Sequence, residues 1–362
     1  MRRCVPVTVV ALLALAACSS DGGGDGDSST ATSEPARSVT SGAVAPTELD
    51  LAAVAAEVIV PRYEALATEA DELVSAVDAL CATPSPVALE AAQAQWGATR
   101  AAWRQTMAFG FGPAMDLRTM SDVDFGTSAG KVEDVAAGTE PVTAEAIGQL
   151  GANARGLGAI EQLLFGEDAG TLIATTGARR CQYAAAAATL VAEAAVEALA
   201  GWTSGAKPYG ETLDDDTQAS LNESFNEVIR TLQGVADQKL ATALGDRSGE
   251  PEPELADPGP AHRALDDMLD DLDGVMASYE AVLEPGIARQ SADAASRTRA
   301  ELTAGIEALS GVAGPLTAAV ADDPDGLTAA QEQLKTAKRT LATEVASLLG
   351  LTLAFSDADG DS

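Results

Sequence analysis

Histidine and cysteine, the residues that most often carry metal or nucleophilic chemistry, are scarce in this chain. Of its 362 residues, one is a histidine, His262, and four are cysteines. A His-Glu-x-x-His zinc site needs two histidines on one helix and is excluded, and a Ser-His-Asp triad would depend wholly on His262. The sequence also contains no Gly-x-Ser-x-Gly and no Cys-x-x-Cys. These familiar hydrolase and thiol-redox motifs are therefore absent.

Aromatic and basic residues are also few. Phe, Trp and Tyr make up 4% of the chain, and 22 Lys and Arg stand against 55 Asp and Glu, which gives a formal charge of -33. Such an acidic protein repels nucleic acid and anionic lipid and attracts cations, so we expect no nucleic-acid partner. Apolar residues reach 46%, and much of that share is alanine. Because alanine favours helix and adds little bulk, the composition predicts a core of closely spaced helices.

Two short segments resemble ligand-binding loops without completing them. Residues 126–132, Gly-Thr-Ser-Ala-Gly-Lys-Val, have a glycine spacing one residue too short for a phosphate loop and lack the Ser or Thr that binds magnesium. Residues 357–361, Asp-Ala-Asp-Gly-Asp, resemble the start of a calcium loop but lack its distal glutamate. We interpret residues 353–362 as a solvated acidic tail.

The first 46 residues indicate export and tethering. A basic start precedes an apolar run too short to span a bilayer permanently, and residues 15–18, Leu-Ala-Ala-Cys, have the lipobox pattern of bacterial lipoproteins. The sequence predicts a signal peptide at residues 1–17, lipid attached to Cys18, and a flexible Gly/Ser/Thr/Asp-rich tether at residues 18–46. We therefore expect the protein in the cell envelope, periplasmic or otherwise extracytoplasmic, with the membrane as its partner through that lipid.

Export accounts for two of the cysteines, Cys4 and Cys18. Cys81 and Cys181 then remain as a single pair. In an oxidising compartment such a pair forms a disulfide by default, so we predict a bridge between Cys81 and Cys181.

Helical periodicity dominates the chain after residue 46, and no convincing alternating strand is present. Gly, Pro and Asp separate four helical segments in residues 47–205 from four more in residues 215–352. The sequence thus predicts an all-α fold of two four-helix bundles, with a ligand site where the bundles meet. The expected helices span roughly residues 47–80, 86–108, 142–165, 178–202, 217–244, 260–283, 286–309 and 327–349.

The segment 155–166 contains a more specific pattern of glycines and a glutamate. Its sequence, Arg-Gly-Leu-Gly-Ala-Ile-Glu-Gln-Leu-Leu-Phe-Gly, places Gly158 and Glu161 three residues apart and hence on one face of a helix. Gly156 and Gly158 allow another backbone to approach that face closely. Taken alone, the glycines indicate tight packing, and Glu161 would most often be a solvated or ion-paired side chain.

This segment resembles the imelysin family, also called peptidase M75, which includes the periplasmic component of ferrous-iron uptake systems. Family members carry Gly-x-His-x-x-Glu followed by Leu-Leu-aromatic-Gly, and residues 156–166 match except that Gly158 replaces the histidine. Similar segments recur through nearly the whole mature chain, at residues 96–110, 180–183, 235–240 and 349–361. The resemblance implies two four-helix bundles that together form one domain.

The resemblance also implies a metal site, for iron or another cation, with Gly156, Gly158 and Glu161 as its motif residues. Because Gly158 removes the imidazole, the remaining carboxylate cannot hold a transition metal, which takes about four ligands. His262, at the start of a helix in the second bundle, is one replacement, although a lone histidine is more often a surface residue. Coordination of ferric iron or calcium by oxygen atoms alone is the other alternative, and the candidate metal ligands are Glu161, His262, Asp116 and Asp266.

The expected function is that of a non-enzymatic, lipid-anchored binding protein linked to iron acquisition, with a degenerate metal site and a transport partner in the envelope. The family's peptidase label makes a metallopeptidase the first alternative, although the sequence has no recognisable three-ligand site with a general base to activate water. The second alternative is a scaffold or receptor that binds another envelope protein.

Overall fold

Helices form all the regular structure in the part of the chain that the structure describes. The computed structural model describes residues 49–116, 119–174 and 178–354. Every regular element in these ranges is a helix, in agreement with the predicted all-α fold. The expected signal peptide, Cys18, the tether and residues 355–362 lie outside the described residues.

Eight long helices run through the described residues, and π-helical turns with wider hydrogen bonding interrupt four of them. The first four are α1 (Leu51–Val54, Ala55–Ile59 and Val60–Ala82), α2 (Pro86–Arg104), α3 (Gly156–Phe165) and α4 (Arg179–Thr203). The last four are α5 (Thr217–Gln233, Gly234–Leu240 and Ala241–Leu244), α6 (Ala264–Ser278, Tyr279–Leu283 and Glu284–Gln290), α7 (Ala292–Ser310) and α8 (Pro324–Thr340, Leu341–Val345 and Ala346–Leu349). Short helices fill the connections: Met107–Phe109, Pro113–Asp116, Thr119–Val123, Ala129–Ala137, Ala144–Gly148, Ala152–Ala154, Ala169–Ile173, Tyr209–Thr212, Pro253–Ala256 and Leu316–Asp322.

The long helices pack as two bundles, as the sequence predicts. In the first half, α1 lies along α2 and α4, and α3 packs on α2 and α4. In the second half, α7 lies along α8, while α6 contacts both α5 and α7. The halves meet where α2 packs against α6 and where the short helix Met107–Phe109 contacts α5 and α6. This junction positions the candidate site.

A disulfide joins the two principal helices of the first bundle. Cys81, at the end of α1, is bonded to Cys181 in the first turn of α4, and their Cα atoms lie 5.6 Å apart. The predicted bridge is therefore confirmed. By length and composition α4 could also cross a membrane. Its inner face is buried against the rest of the bundle, however, as expected for a core helix.

Two prolines lie inside long helices, directly after π-helical turns. Pro61 follows the turn Ala55–Ile59, and Pro285 follows the turn Tyr279–Leu283. A proline ring clashes with the carbonyl of the residue four positions earlier, which in both cases lies within the wide turn. The wider turn explains why α6 continues to Gln290, beyond the boundary that the Pro-Gly pair at 285–286 led us to expect.

The expected third helix is the clearest difference between prediction and structure. Residues 142–165 form the short helices Ala144–Gly148 and Ala152–Ala154 and then α3, rather than one continuous helix. The chain turns at Gly156, whose φ is 75°, and a Cβ there would lie 2.6 Å from the carbonyl oxygen of Val123. The break needs glycine both for its conformation and for this close approach.

Candidate functional site

A cavity of about 400 Å³ lies at the junction of the two bundles. Helices α2 and α3 and the loop 124–128 line one side. The other side is formed by α5, the start of α6 and the connection 255–260. The motif residues Gly158 and Glu161 both line it. A polar cavity therefore lies at the junction where the helix pattern led us to expect a site.

Glu161 reaches from α3 to the connection between α5 and α6. Its Oε1 accepts a hydrogen bond from the backbone N–H of Ala261 at 3.1 Å, and the residue is 8% exposed. The carboxylate fits because residue 259 is glycine, where a Cβ would lie 2.0 Å from Oε1. Burial raises the pKa of Glu161 to about 7, although Arg100 and the Ala261 N–H act in the opposite direction. Glu161 thus changes protonation close to neutral pH.

Gly158 lies where the family motif has histidine, and the neighbouring loop uses the space it leaves. A Cβ at residue 158 would lie 1.7 Å from Oγ1 of Thr127 and 3.0 Å from its Cβ. The Thr127 hydroxyl donates a hydrogen bond to the carbonyl oxygen of Phe125 at 3.3 Å. The chain therefore does not simply lack a side chain here, because loop 124–128 is packed against the glycine.

Arg100 on α2 links the two bundles across the cavity wall. Its Nε and Nη2 donate to Oδ2 of Asp267 on α6, at 3.0 and 2.8 Å, and its Nη1 donates to Asp124 at 3.0 Å. Although burial acts to raise the pKa of Asp267, Arg100 and other nearby cations lower it overall. The pair is mostly buried, so either partner left alone would be an uncompensated charge.

One turn further along both helices, a second pairing includes a lysine. Arg104 on α2 donates to Oδ2 of Asp271 on α6, and the Nζ of Lys239 on α5 lies 4.0 Å from that same oxygen. The structure places no other described carboxylate within 4.0 Å of this amine. Burial and, after it, the nearby charge of Arg104 lower the pKa of Lys239 to about 8. Two cations thus share one carboxylate beside the cavity.

The two other candidate metal ligands with described side chains, His262 and Asp266, form no metal-binding group with Glu161. His262, with a φ of 51°, has a half-exposed side chain whose Nδ1 lies 3.7 Å from Oδ2 of Asp257. Asp266 is mostly exposed and lies 3.8 Å from Arg263. Asp116 ends a short helix, and its side chain is outside what the structure describes. Among the described residues, no three His, Cys, Asp or Glu side chains form a group that could hold a metal ion.

Sequence reasoning missed the charged groups that α2, α5 and α6 bring together. Arg100 and Arg104 are four residues apart on α2, and Asp267 and Asp271 are four apart on α6. This spacing puts each pair on one helix face, so two complementary stripes could have been noticed. Their pairing still joins residues 167 positions apart, which helix periodicity alone does not reveal.

Comparison with known proteins identifies relatives at several levels. A family model described as imelysin, peptidase M75, matches residues 59–344. Iron-regulated protein A of Synechococcus elongatus is 24% identical over 242 residues. That match covers 65% of this chain and 65% of the relative, so the chain spans slightly less than two thirds of the relative's length.

Two solved structures share the fold. A Parabacteroides distasonis protein described as an iron-regulated protein A precursor has a TM-score of 0.71 at 18% identity, over 82% of this chain and 94% of its own. An imelysin-like protein from Psychrobacter arcticum has a TM-score of 0.72 at 20% identity, over 84% of this chain and 96% of its own. At such low identities the likeness establishes the fold alone.

Proposed function

The chain belongs to the imelysin family, and from this premise we propose that it is a non-enzymatic binding protein of the cell envelope that serves iron acquisition. The observation that carries the proposal is the polar cavity at the bundle junction, which is lined by the motif residues Gly158 and Glu161. The relative of Synechococcus elongatus is named for iron regulation, which supports iron as the cargo.

Binding is favoured over catalysis by the chemistry of the cavity walls. A metallopeptidase needs a metal held by about three protein ligands and a base to activate water. Here Glu161 accepts a hydrogen bond from the Ala261 N–H, and the described residues offer no group of three metal-ligating side chains. The described side chains around the cavity therefore do not fit a resident catalytic metal.

Iron binding at the cavity can be tested with a matched pair of variants. Gly126 lines the cavity and Gly130 does not, and a Cβ at either position would meet no atom within 4 Å. We expect Gly126→Phe to obstruct the cavity mouth and Gly130→Phe to leave it open. Equilibrium dialysis with iron-55, supplied as ferrous ion and as ferric citrate, should show iron bound by the natural protein and by Gly130→Phe, and at least severalfold less by Gly126→Phe.

The possible outcomes separate the hypotheses. No retention of iron in either form would end the iron-binding proposal, and equal retention by both phenylalanine variants would place the site elsewhere. Cleavage of a denatured protein substrate, lost in Glu161→Gln, would favour the peptidase alternative. Capture of a specific envelope protein without any iron binding would favour the scaffold alternative.

We also propose that lipid on Cys18 holds the protein at the membrane. The support is the Leu-Ala-Ala-Cys pattern at residues 15–18 and the polar segment that follows it. Cys18→Ser should move the protein from the membrane fraction to the soluble fraction and abolish its labelling by a palmitate analogue in growing cells. Unchanged membrane association of the variant would rule out this anchor.

A further inference from the structure

The cavity does not offer what a bare metal ion requires. An ion is held by several ligands at about 2.0–2.2 Å, contributed by converging carboxylates, imidazoles or thiolates. The described residues contain no such group of three. The cavity's volume of about 400 Å³ equals the liquid volume of roughly a dozen water molecules, far more than one ion fills. Its size and walls fit a molecule better than an ion.

Lys239 is the side chain that most needs a partner from such a molecule. Its ammonium group has three donors, yet it makes no hydrogen bond to the described residues, and its nearest carboxylate oxygen is 4.0 Å away on Asp271. That oxygen already accepts from Arg104. The Lys239 side chain is 25% exposed and lines the cavity, so the oxygen atoms of a ligand there can accept hydrogen bonds from its ammonium group.

Most other charges around the cavity are already paired with one another. Arg100 uses three nitrogen atoms on Asp124 and Asp267, and Arg263 donates to Asp270 at 2.8 Å. Among the described residues that line the cavity, Lys239 is the cation that has no hydrogen-bonded carboxylate and can therefore hold an incoming anion. Neutral polar side chains that can add hydrogen bonds also line the cavity: Gln162, Gln238, Thr127 and Thr242.

The charge of Lys239 at neutral pH also favours an anionic ligand. The pKa of Lys239, lowered by burial to about 8, leaves the amine mostly charged at pH 7. The acidic exterior is screened over about 8 Å at physiological ionic strength.

The mouth of the cavity is apolar on both sides. Phe125, from loop 124–128, is 55% exposed, and Leu255, from the short helix Pro253–Ala256, is 66% exposed, and both line the cavity. Large apolar side chains exposed at the rim of a polar cavity are typical of a site for an organic ligand. One such side chain comes from each bundle, so a bound molecule would contact both halves.

Building on the proposed function, we propose that the cavity takes its cargo as an anionic, carboxylate-rich chelate rather than as a bare ion, with Lys239 binding the oxygens of the chelator. The metal would be held by its chelator, and the protein would recognise the complex. The missing motif histidine is then no obstacle to iron binding.

The test compares two forms of iron on the full chain. Calorimetry with ferric citrate in excess citrate, and separately with ferrous ion under anaerobic conditions, would be run on the natural protein, Lys239→Gln and Lys207→Gln. Lys207 is the control, because its partner is Asp215, another exposed residue, and it does not line the cavity. We expect ferric citrate to bind the natural protein and Lys207→Gln equally, and Lys239→Gln at least tenfold more weakly.

Failure of this inference is distinct from failure of the proposed function. Equal binding of ferric citrate by Lys239→Gln, with an unchanged urea midpoint, would overturn the role of Lys239. If ferrous ion binds tightly and excess citrate removes it, the proposal that the cargo is a chelate would be overturned, and the iron-binding function would stand. Binding of neither form would refute both. Gly126→Phe, which leaves every charged group in place, should also lose ferric citrate binding if the cavity is the site.

Discussion

Replacing Glu161 by glutamine should stabilise the protein much more at pH 8 than at pH 5. The pKa of Glu161 is about 7 in the folded protein, against 4.5 for the unperturbed group. Between these values the folded state holds a proton that the unfolded chain has lost. Folding stability from this group is therefore complete below about pH 4.5 and is lost as the pH rises through about 7. Because glutamine is neutral at every pH, the variant does not lose this folding stability as the pH rises.

The size of the effect follows from the difference between the two pKa values. One pKa unit corresponds to about 1.4 kcal/mol, so ionising buried Glu161 costs about 3 kcal/mol at high pH. Most of that cost develops between pH 5 and pH 8. Because the amide oxygen can still accept the Ala261 N–H, the variant keeps the main hydrogen bond of this side chain.

Urea unfolding, followed by the circular dichroism of the helices at both pH values, measures the effect. The free energy of unfolding of Glu161→Gln, relative to the natural protein, should rise by about 2–3 kcal/mol from pH 5 to pH 8. Glu133→Gln is the control of opposite sign, because hydrogen bonds from Arg180 lower the pKa of Glu133. That variant should lose stability at pH 8. A difference between Glu161→Gln and the natural protein that does not change with pH would refute the reasoning.

Three further predictions concern stability. Arg100→Met should cost about 3–5 kcal/mol in urea unfolding because it leaves buried carboxylates unpaired, whereas Arg297→Met, at an exposed ion pair, should leave the urea midpoint nearly unchanged. Gly158→Ala should cost about 1–3 kcal/mol because its Cβ collides with Thr127, and adding Thr127→Ala should recover part of that loss in thermal unfolding. Reducing the disulfide, which spans 100 residues, should lower the free energy of unfolding by about 2–5 kcal/mol, and an unchanged urea midpoint in reductant would contradict this.

The parts of the fold that sequence predicted are those that depend on local pattern or on elimination. Helical periodicity identified the long helices, and setting aside the export cysteines left Cys81 and Cys181 as the disulfide pair. The wrong helix boundaries lie at proline and glycine residues. Pro285 was taken as a helix boundary, although a preceding wide turn lets α6 continue through it. The segment 142–165 was taken as one helix, although its glycines divide it.

The candidate site was predictable only in part, for a physical reason. Gly158 and Glu161 are close in sequence and belong to one recognisable motif, so the sequence identified one wall of the cavity. The other wall depends on how α2, α5 and α6 meet, and no local pattern specifies which Arg faces which Asp. Lys239 lies in segment 235–240, which resembles the family, but helix periodicity does not show that its side chain lines the cavity.

The π-helical turn Gly234–Leu240 explains how that lysine reaches the cavity. Phe225 and Leu232 are buried and seven residues apart, and in an uninterrupted helix the next residue on their stripe would be Lys239. The wide turn adds one residue, so Leu240 takes the core position and Lys239 is displaced from it by about 100°. A single extra residue in the helix thus changes which side chain enters the core and which faces the cavity. Deleting one residue from this turn should restore a regular α-helix and keep Leu240 in the core, because Leu240 would then be the seventh residue after Leu232.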